Sequence, residues 1–356
     1  MRGVAGNTPT PARLLGLATA VPAHILHQAD VTTAAAALFC GRQRDFERLL
    51  PVFENAGIRT RHSVRPLEWF RTARGWPERT EAYLDGATDL FVEAAQRALH
   101  AAGRSAAEVD SVVSVSSTGI ATPSLEARAH SRLGLRPDVR RVPLFGLGCA
   151  GGATGLSLAA RLAAAAPGSV VLMVTVELCT LAFRDDEMTK ANIVATALFG
   201  DGAAAAVVSA DASGGLLTIE SSGEHLWPDT LDIMGWRVDP VGFSAIFSRS
   251  IPEVVTEKLR PAAEAFLARH GLSVDAIDNF VFHPGGARVV DALEAVFDLP
   301  QGALNGEREV LRDFGNMSAP TVLFVLERAL ASGIAGRGLL AALGPGFTAS
   351  FLTFTA

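Results

Sequence analysis

Arg141-Val142-Pro143-Leu144-Phe145-Gly146-Leu147-Gly148-Cys149-Ala150-Gly151-Gly152 contains a change of period. A strand-like apolar run enters a glycine-rich corner, and a run of small residues at helical spacing leaves it, extending to about residue 166. Glycines permit the sharp strand-to-helix turn that pushes one side chain forward, and the side chain so presented is Cys149. A helix N-terminus favours negative charge, so the expectation is a thiol with a lowered pKa and a nucleophilic role. The usual fate of a free cysteine is a small buried side chain. Cys40 and Cys179 fit that description; the glycine corner sets Cys149 apart.

Working outward, the chain alternates helical and extended patterns. Apolar residues at helical spacing (Leu90, Ala94, Ala95, Ala98, Leu99) predict a helix over 87–103, followed by a buried strand over 109–116 and a short helix over 124–133. Past the Cys149 helix, strands are expected over 169–177 and, after Gly200-Asp201-Gly202, over 203–208. The Ser/Gly-rich stretch 211–215 marks a boundary between halves 1–210 and 211–356. The second half repeats the plan, with helices over 252–270, 285–297 and 317–332 and strands over 277–282, 338–343 and 347–354. Gly315-Asn316 opens a helix before two strands, as Gly148-Cys149 does, and the strand ending before His283 matches the strand 109–116. Alternating strands and helices imply an α/β fold with sheets covered by helices, whose ligands bind at strand C-termini. Two duplicated halves of this kind bring Cys149, His283 and Asn316 to one cleft.

The chemistry of that trio is coherent. His283, fixed at a strand end by Pro284-Gly285-Gly286, is the natural partner of a nucleophilic thiol, as a thiolate–imidazolium pair. Asn316 alone would read as a helix N-cap, but by the duplication it holds the place of Cys149. An amide N–H and an imidazole N–H converging on one oxygen make an oxyanion hole. No carboxylate pair, metal-ligand spacing or phosphate loop competes with them, so no metal and no bound cofactor is expected.

Composition narrows the class. The chain has 356 residues, 49% hydrophobic and 19% charged, which excludes a disordered chain. Its 31 Lys+Arg against 37 Asp+Glu give a net charge of −6 with no basic run, which argues against nucleic-acid binding. Three cysteines do not make a disulfide framework, so a reducing cytoplasm is the expected setting. The apolar stretches 13–22 and 156–176 are broken by Pro22 and by Arg161, Pro167 and Gly168. A membrane span needs roughly 20 uninterrupted apolar residues, so no membrane association is expected.

At these residues the sequence resembles the type III polyketide synthases, the chalcone synthase-like branch of the thiolase superfamily. The resemblance runs from about Leu14 to the C-terminus and rests on five motifs in order. They are Gly148-Cys149-Ala150-Gly151-Gly152, Ala197-Leu198-Phe199-Gly200-Asp201-Gly202-Ala203-Ala204-Ala205, His283-Pro284-Gly285-Gly286, Gly315-Asn316-Met317-Ser318 and Gly344-Pro345-Gly346-Phe347. The neighbouring β-ketoacyl-acyl carrier protein synthase III enzymes show His-Gln-Ala-Asn and Asn-Thr-Ser where this chain has His-Pro-Gly-Gly and Asn-Met-Ser, which makes them the second choice.

The resemblance implies a homodimer of five-layer αβαβα subunits. Cys149 would accept an acyl group, and His283 and Asn316 would stabilise the enolate left when malonyl-CoA loses carbon dioxide. It further implies a gate phenylalanine at Phe199 and cavity-lining positions at Ser117, Thr118, Cys179, Trp236 and Ser318. Ala245 stands where plant enzymes carry a second gate phenylalanine, which implies a roomier cavity. CoA phosphates call for cations at the tunnel mouth; Gly57-Ile58-Arg59-Thr60-Arg61-His62 resembles the family's basic segment and points to Arg59 and Arg61, with Gly286 and Arg288 near the pantetheine arm. The expected substrates are malonyl-CoA and a medium- or long-chain fatty acyl-CoA, closing to an alkylpyrone or alkylresorcinol; delivery of the starter by CoA or by an acyl carrier protein stays open. The alternatives are a malonyl-CoA-only aromatic synthase, a single-condensation synthase, a thioester hydrolase and an inactive partner subunit.

Overall fold

Alternate residues of the central strands serve two different cores, and this period of two organises the molecule. The computed structural model describes residues 10–39, 46–210, 213–248 and 250–356. Cys40 and the start of the expected boundary, Asp211 and Ala212, lie outside them. The strands are β1 (Ala12–Ala20), β2 (His24–His27), β3 (Thr60–Ser63), β4 (Val109–Val115), β5 (Arg140–Leu144), β6 (Val170–Leu178) and β7 (Asp201–Ser209). They continue with β8 (Leu217–Leu226), β9 (Met234–Val238), β10 (Phe243–Phe247), β11 (Asn279–Phe282), β12 (Arg337–Gly344) and β13 (Thr348–Thr355). The helices are α1 (Gln28–Phe39), α2 (Phe46–Leu49), α3 (Pro51–Asn55), α4 (Trp76–Ala101), α5 (Leu125–Leu133) and α6 (Gly151–Ala165). After them come α7 (Lys190–Leu198), α8 (Ile251–Arg269), α9 (Ala287–Val296), α10 (Asn305–Phe314) and α11 (Thr321–Ala331).

One nine-stranded sheet runs β11-β12-β13-β8-β1-β7-β6-β4-β5. Its two wings repeat one pattern of pairing. β8·β13 and β13·β12 are antiparallel and β12·β11 parallel; β1·β7 and β7·β6 are antiparallel and β6·β4 parallel. The wings join through three residue pairs between β1 and β8, from Ala12↔Ile219 to Leu14↔Leu217. In β6, Val171 and Met173 face α6 and α11, whereas Leu172, Val174 and Val176 pack with α4 and α5. In β12, Leu340 and Ala342 face the same inner helices, and Leu339 and Ala341 pack with α8 and α9. The order of layers is therefore helix, sheet, paired inner helices, sheet, helix: the five-layer αβαβα arrangement. Because both faces of the sheet are covered, its middle strands are mostly apolar, and all nine residues of β6 and of β7 are buried, Glu177 and Asp201 among them.

Some expected boundaries move for identifiable reasons. The helix expected from residue 317 begins at Thr321. Met317 N donates to Thr321 Oγ1 at 2.9 Å and Ser318 adopts φ +59°, so the chain turns before it winds. The helix expected from 87 begins eleven residues earlier, at Trp76, with Pro77 in its first turn. β8, which joins the wings, carries a half-exposed polar sequence that gave no strand signal. Among the described residues no helix is long and apolar enough to cross a membrane.

Candidate active site

Cys149 lies in a single 3-10 turn, Gly148–Ala150, immediately before α6. Gly148 has φ +48°, and a Cβ there would fall 2.6 Å from the Pro345 ring, so both conformation and space require glycine. One turn on, a Cβ at Gly152 would fall 2.2 Å from the Ala319 carbonyl oxygen. This missing side chain is what lets the Cys149 turn and the Asn316 turn touch.

Asn316 is fixed at both ends. Its backbone N donates to Leu198 O at 2.9 Å and its O accepts from Gly200 N at 3.0 Å, tying it to the segment that carries Phe199. Its Oδ1 accepts from Ser318 N at 2.8 Å and its Nδ2 donates to Gly285 O at 3.1 Å. A backbone N–H and a carbonyl on opposite sides dictate which way the amide faces, and one Nδ2 hydrogen is left over. The Cys149 Sγ lies 4.0 Å from Asn316 Oδ1.

His283 follows β11, its backbone N donating to Ala341 O at 3.0 Å. The residue is 5% exposed, and neither ring nitrogen has a protein partner. A buried polar group left unpaired costs about 1–3 kcal/mol, and this one faces a space that a ligand can occupy. Cys149, His283 and Asn316 line one cavity of about 370 Å³, which also takes in Phe247, Lys190 and Arg288. The trio expected from the sequence is brought together.

Burial sets the charge state. It pushes the Cys149 thiol up to about 11, with a hydrogen bond from Ser318 opposing and the charge of Glu177 adding to the rise. It takes His283 down to about 3. At neutral pH the pair is thiol and neutral imidazole. The expected low-pKa thiolate facing an imidazolium is therefore corrected: enclosing two charges away from water costs more than one helix end returns.

The remaining expected residues divide. Phe199 is buried, its ring 5.7 Å from Trp236 and 5.6 Å from Phe247 between centroids. Ala245 pairs with Trp236 across the β9–β10 hairpin and joins the same apolar cluster, as does Cys179. The second ring beside Phe199 comes from Phe247, two residues further along β10 and so on the same face. Ser117 and Thr118 depart from the cavity-lining expectation. Ser117 N and Thr118 Oγ1 hold the buried Glu177 carboxylate at 2.9 and 2.7 Å, and Ser117 Oγ accepts from Gly146 N and Gly148 N at 3.1 and 3.2 Å. They brace the nucleophile turn from behind. Burial pushes Glu177 itself up to about 8, against those hydrogen bonds.

Of the expected CoA contacts, Gly286 and Arg288 lie on the cavity wall. Arg59 is exposed on the surface, 3.8 Å from Asp313. Arg61 is a correction: it is 2% exposed, and its guanidinium donates to Thr196 O at 2.7 Å, to Phe199 O at 3.0 Å and to Gln28 Oε1. It supports the segment under Phe199 from within. The cations on the cavity wall are Lys190 and Arg288. Lys190 was not legible in the sequence, because only packing brings α7 against the strand end that carries His283.

Comparison with known proteins decides the family. Profiles for the N-terminal and C-terminal domains of chalcone and stilbene synthases match residues 4–212 and 218–355. The chain belongs to the chalcone and stilbene synthase family. It is a type III polyketide synthase, an acyltransferase-type enzyme. It is 40% identical over 346 residues to a 1,3,6,8-tetrahydroxynaphthalene synthase of Streptomyces peucetius subsp. caesius, covering 94% of this chain and 90% of that one. An alpha-pyrone synthesis polyketide synthase-like protein of Mycobacterium tuberculosis is 30% identical over 373 residues, covering 99% and 94%. Among solved structures, 1,3,6,8-tetrahydroxynaphthalene synthase from Streptomyces coelicolor A3(2) superposes on this polyketide synthase with a TM-score of 0.92 at 30% identity, over 96% of this chain and 99% of that one.

Proposed function

We propose that this polyketide synthase condenses a medium- or long-chain fatty acyl-CoA starter with several malonyl-CoA units and closes the product to an alkylpyrone or alkylresorcinol. The observation that carries the condensation is the cavity in which a thiol, an imidazole with two free nitrogens and an amide with one free hydrogen meet. Cys149 Sγ attacks the starter thioester while its proton passes to a His283 nitrogen; the proton then leaves with the CoA thiolate. Malonyl-CoA next places its thioester oxygen between the His283 N–H and the remaining Asn316 N–H. The C–C bond to the carboxylate breaks, carbon dioxide departs, and the electron pair becomes an enolate on that oxygen. Neutral donors suit this role, since an oxyanion hole holds charge only as it forms. The enolate carbon attacks the acyl-Cys149 carbonyl, Cys149 leaves, and the longer chain on CoA returns to Cys149 for another round. The thioester serves as electron sink, so the reading needs no metal or redox cofactor.

Lys190 and Arg288 on the cavity wall support CoA phosphates as ligands. The small side chain of Ala245 within the aromatic cluster supports an extended starter. Cysteine usage supports a cytoplasmic setting, and family membership a homodimer. A second reading, malonyl-CoA as the sole substrate, is favoured by the 40% identity to a protein named 1,3,6,8-tetrahydroxynaphthalene synthase. Incubation with malonyl-CoA and acyl-CoAs of graded length, beside Cys149→Ala, decides by product mass. Alkylpyrone or alkylresorcinol masses that follow the starter and vanish in the variant are the expected result. Equal use of malonyl-CoA alone supports the second reading, and a single condensation points to a synthase III-type reaction.

A further inference from the structure

The β9–β10 hairpin belongs to neither wing. It forms a two-stranded sheet of its own, separate from the nine-stranded one. Its faces are used differently, as a period of two requires. Trp236, Ala245 and Phe247 pack with Phe199, and Met234 and Phe247 line the catalytic cavity. On the other face, Arg237 Nη2 and Ser244 Oγ both donate to the Glu187 carboxylate, at 2.8 and 2.5 Å. A lone two-stranded ribbon is marginal in water, so contacts outside the ribbon determine how far its aromatic face stands from Phe199.

The most buried of those contacts is an arginine. The Arg184 side chain is 5% exposed, and its Nη1 donates to both Asp239 oxygens at 2.9 Å. Its Nε and Nη2 donate to the two Asp186 oxygens at 2.6 Å. Asp239 forms the hairpin tip: Oδ1 also accepts from Val241 N at 2.8 Å and Gly242 N at 3.2 Å, and its backbone O accepts from Trp76 Nε1 at 2.8 Å. Asn192 Nδ2 donates to Arg184 O at 2.5 Å and to Glu187 O at 2.8 Å, which ties the segment holding the hairpin to α7, the helix that leads into Phe199.

We infer that Arg184 is a positioning residue for product length: through Asp239 it latches the hairpin at a fixed distance from Phe199, and so limits the chain that can grow on Cys149. The inference rests on the iterative-condensation reading above. The latch joins the two segments whose apolar faces form this wall, and its polar partners are Asp186 and Asp239 rather than any of Cys149, His283 and Asn316. Bond-making can therefore persist when the wall yields. A planar guanidinium engaging two carboxylates fixes direction as well as distance, which a point charge does not. A chain growing in a close-packed site adds volume at every round, so the position of the wall is read out as the number of rounds.

The test uses the full-length protein with malonyl-CoA, with and without hexanoyl-CoA, and products are read by mass. Asp239→Asn keeps an oxygen for Val241 N and Gly242 N, and hence the turn, but removes the charge. Arg184→Lys keeps the charge but not the two-carboxylate fork. Both are expected to raise the ratio of product with one more malonyl unit to wild-type product at least fivefold. Acyl loading of Cys149, followed by intact mass, is expected to stay within twofold, with melting curves confirming the folds. Should an unpaired buried charge unfold these variants, Ser244→Ala frees the same hairpin from Glu187 without touching Arg184. Its expected result is a shift of at least twofold in the same ratio and faster hydrogen–deuterium exchange across 234–247. Unchanged product ratios in the folded variants, or loading and all products falling in parallel, overturn the inference and leave the condensation reading intact. A wild-type protein that makes no chain of two or more extensions overturns both.

Discussion

The Cys149 turn and the Asn316 turn hold corresponding places in the two wings, yet they treat their side chains in opposite ways. Each precedes an inner helix, α6 or α11, and each follows a glycine at positive φ, +48° at Gly148 and +71° at Gly315. Asn316 is tethered through Oδ1 and Nδ2 together. Cys149 Sγ, by contrast, lies 4.0 Å from Asn316 Oδ1. One turn fixes an orientation; the other leaves an atom free to form and break bonds. Duplication thus supplied two equivalent positions at one cavity, and the chemistry arose from how firmly each side chain is held.

The largest expected effect breaks that comparison directly. Cys149→Ala should abolish product, by a factor of at least ~10³. Asn316→Ala should leave acyl loading of Cys149 measurable by intact mass while slowing malonyl-CoA decarboxylation ~10²–10³-fold, the cost of losing one oxyanion donor. Equal loss of loading in the two variants would show that the turns are not functionally distinct. Next, Gly152→Ala drives a methyl group into the Ala319 carbonyl and should separate the turns, lowering stability by about 1–3 kcal/mol in denaturant melts. An unchanged melt would mean that the close approach is not a constraint.

A third prediction sharpens the electrostatic half. The folded pKa of Cys149 is raised, so its thiolate forms only as pH climbs past the ordinary thiol value of 9.0 toward about 11. Alkylation of the unloaded protein by iodoacetamide should therefore still be rising at pH 9, and Glu177→Gln should move the profile to lower pH by removing a nearby negative charge. A midpoint below pH 7 would restore the thiolate–imidazolium pair. The smallest effect concerns Ser318, a non-glycine residue at φ +59°. Ser318→Gly relieves that conformation and keeps the backbone N–H to Asn316, so stability should rise by about 0.5–1 kcal/mol.

Periodicity alone made the alternation of strands and helices, the glycine corner and the matching halves legible, because burial on both sheet faces writes uninterrupted apolar runs such as 170–174. β8 escaped notice for the converse reason: it is half exposed and pairs through its backbone. Arg61 and Lys190 show the limit most plainly. Both are cations in ordinary local contexts, and a linear sequence carries no mark of which will be walled in under Phe199 and which will face a cavity.

What the sequence determined by itself was the chemistry available: a thiol at a glycine corner, a histidine at a strand end and an asparagine in the duplicated place. Local backbone geometry and hydrophobic period fix such features within a few residues of chain. Only the tertiary structure decided the charge on that chemistry and its boundaries. Burial reverses the thiol's expected shift, the aromatic beside Phe199 is Phe247, and Arg184 reaches the tip of the β9–β10 hairpin. Desolvation and packing depend on which distant segments close over a group, and those contacts join residues up to hundreds of positions apart.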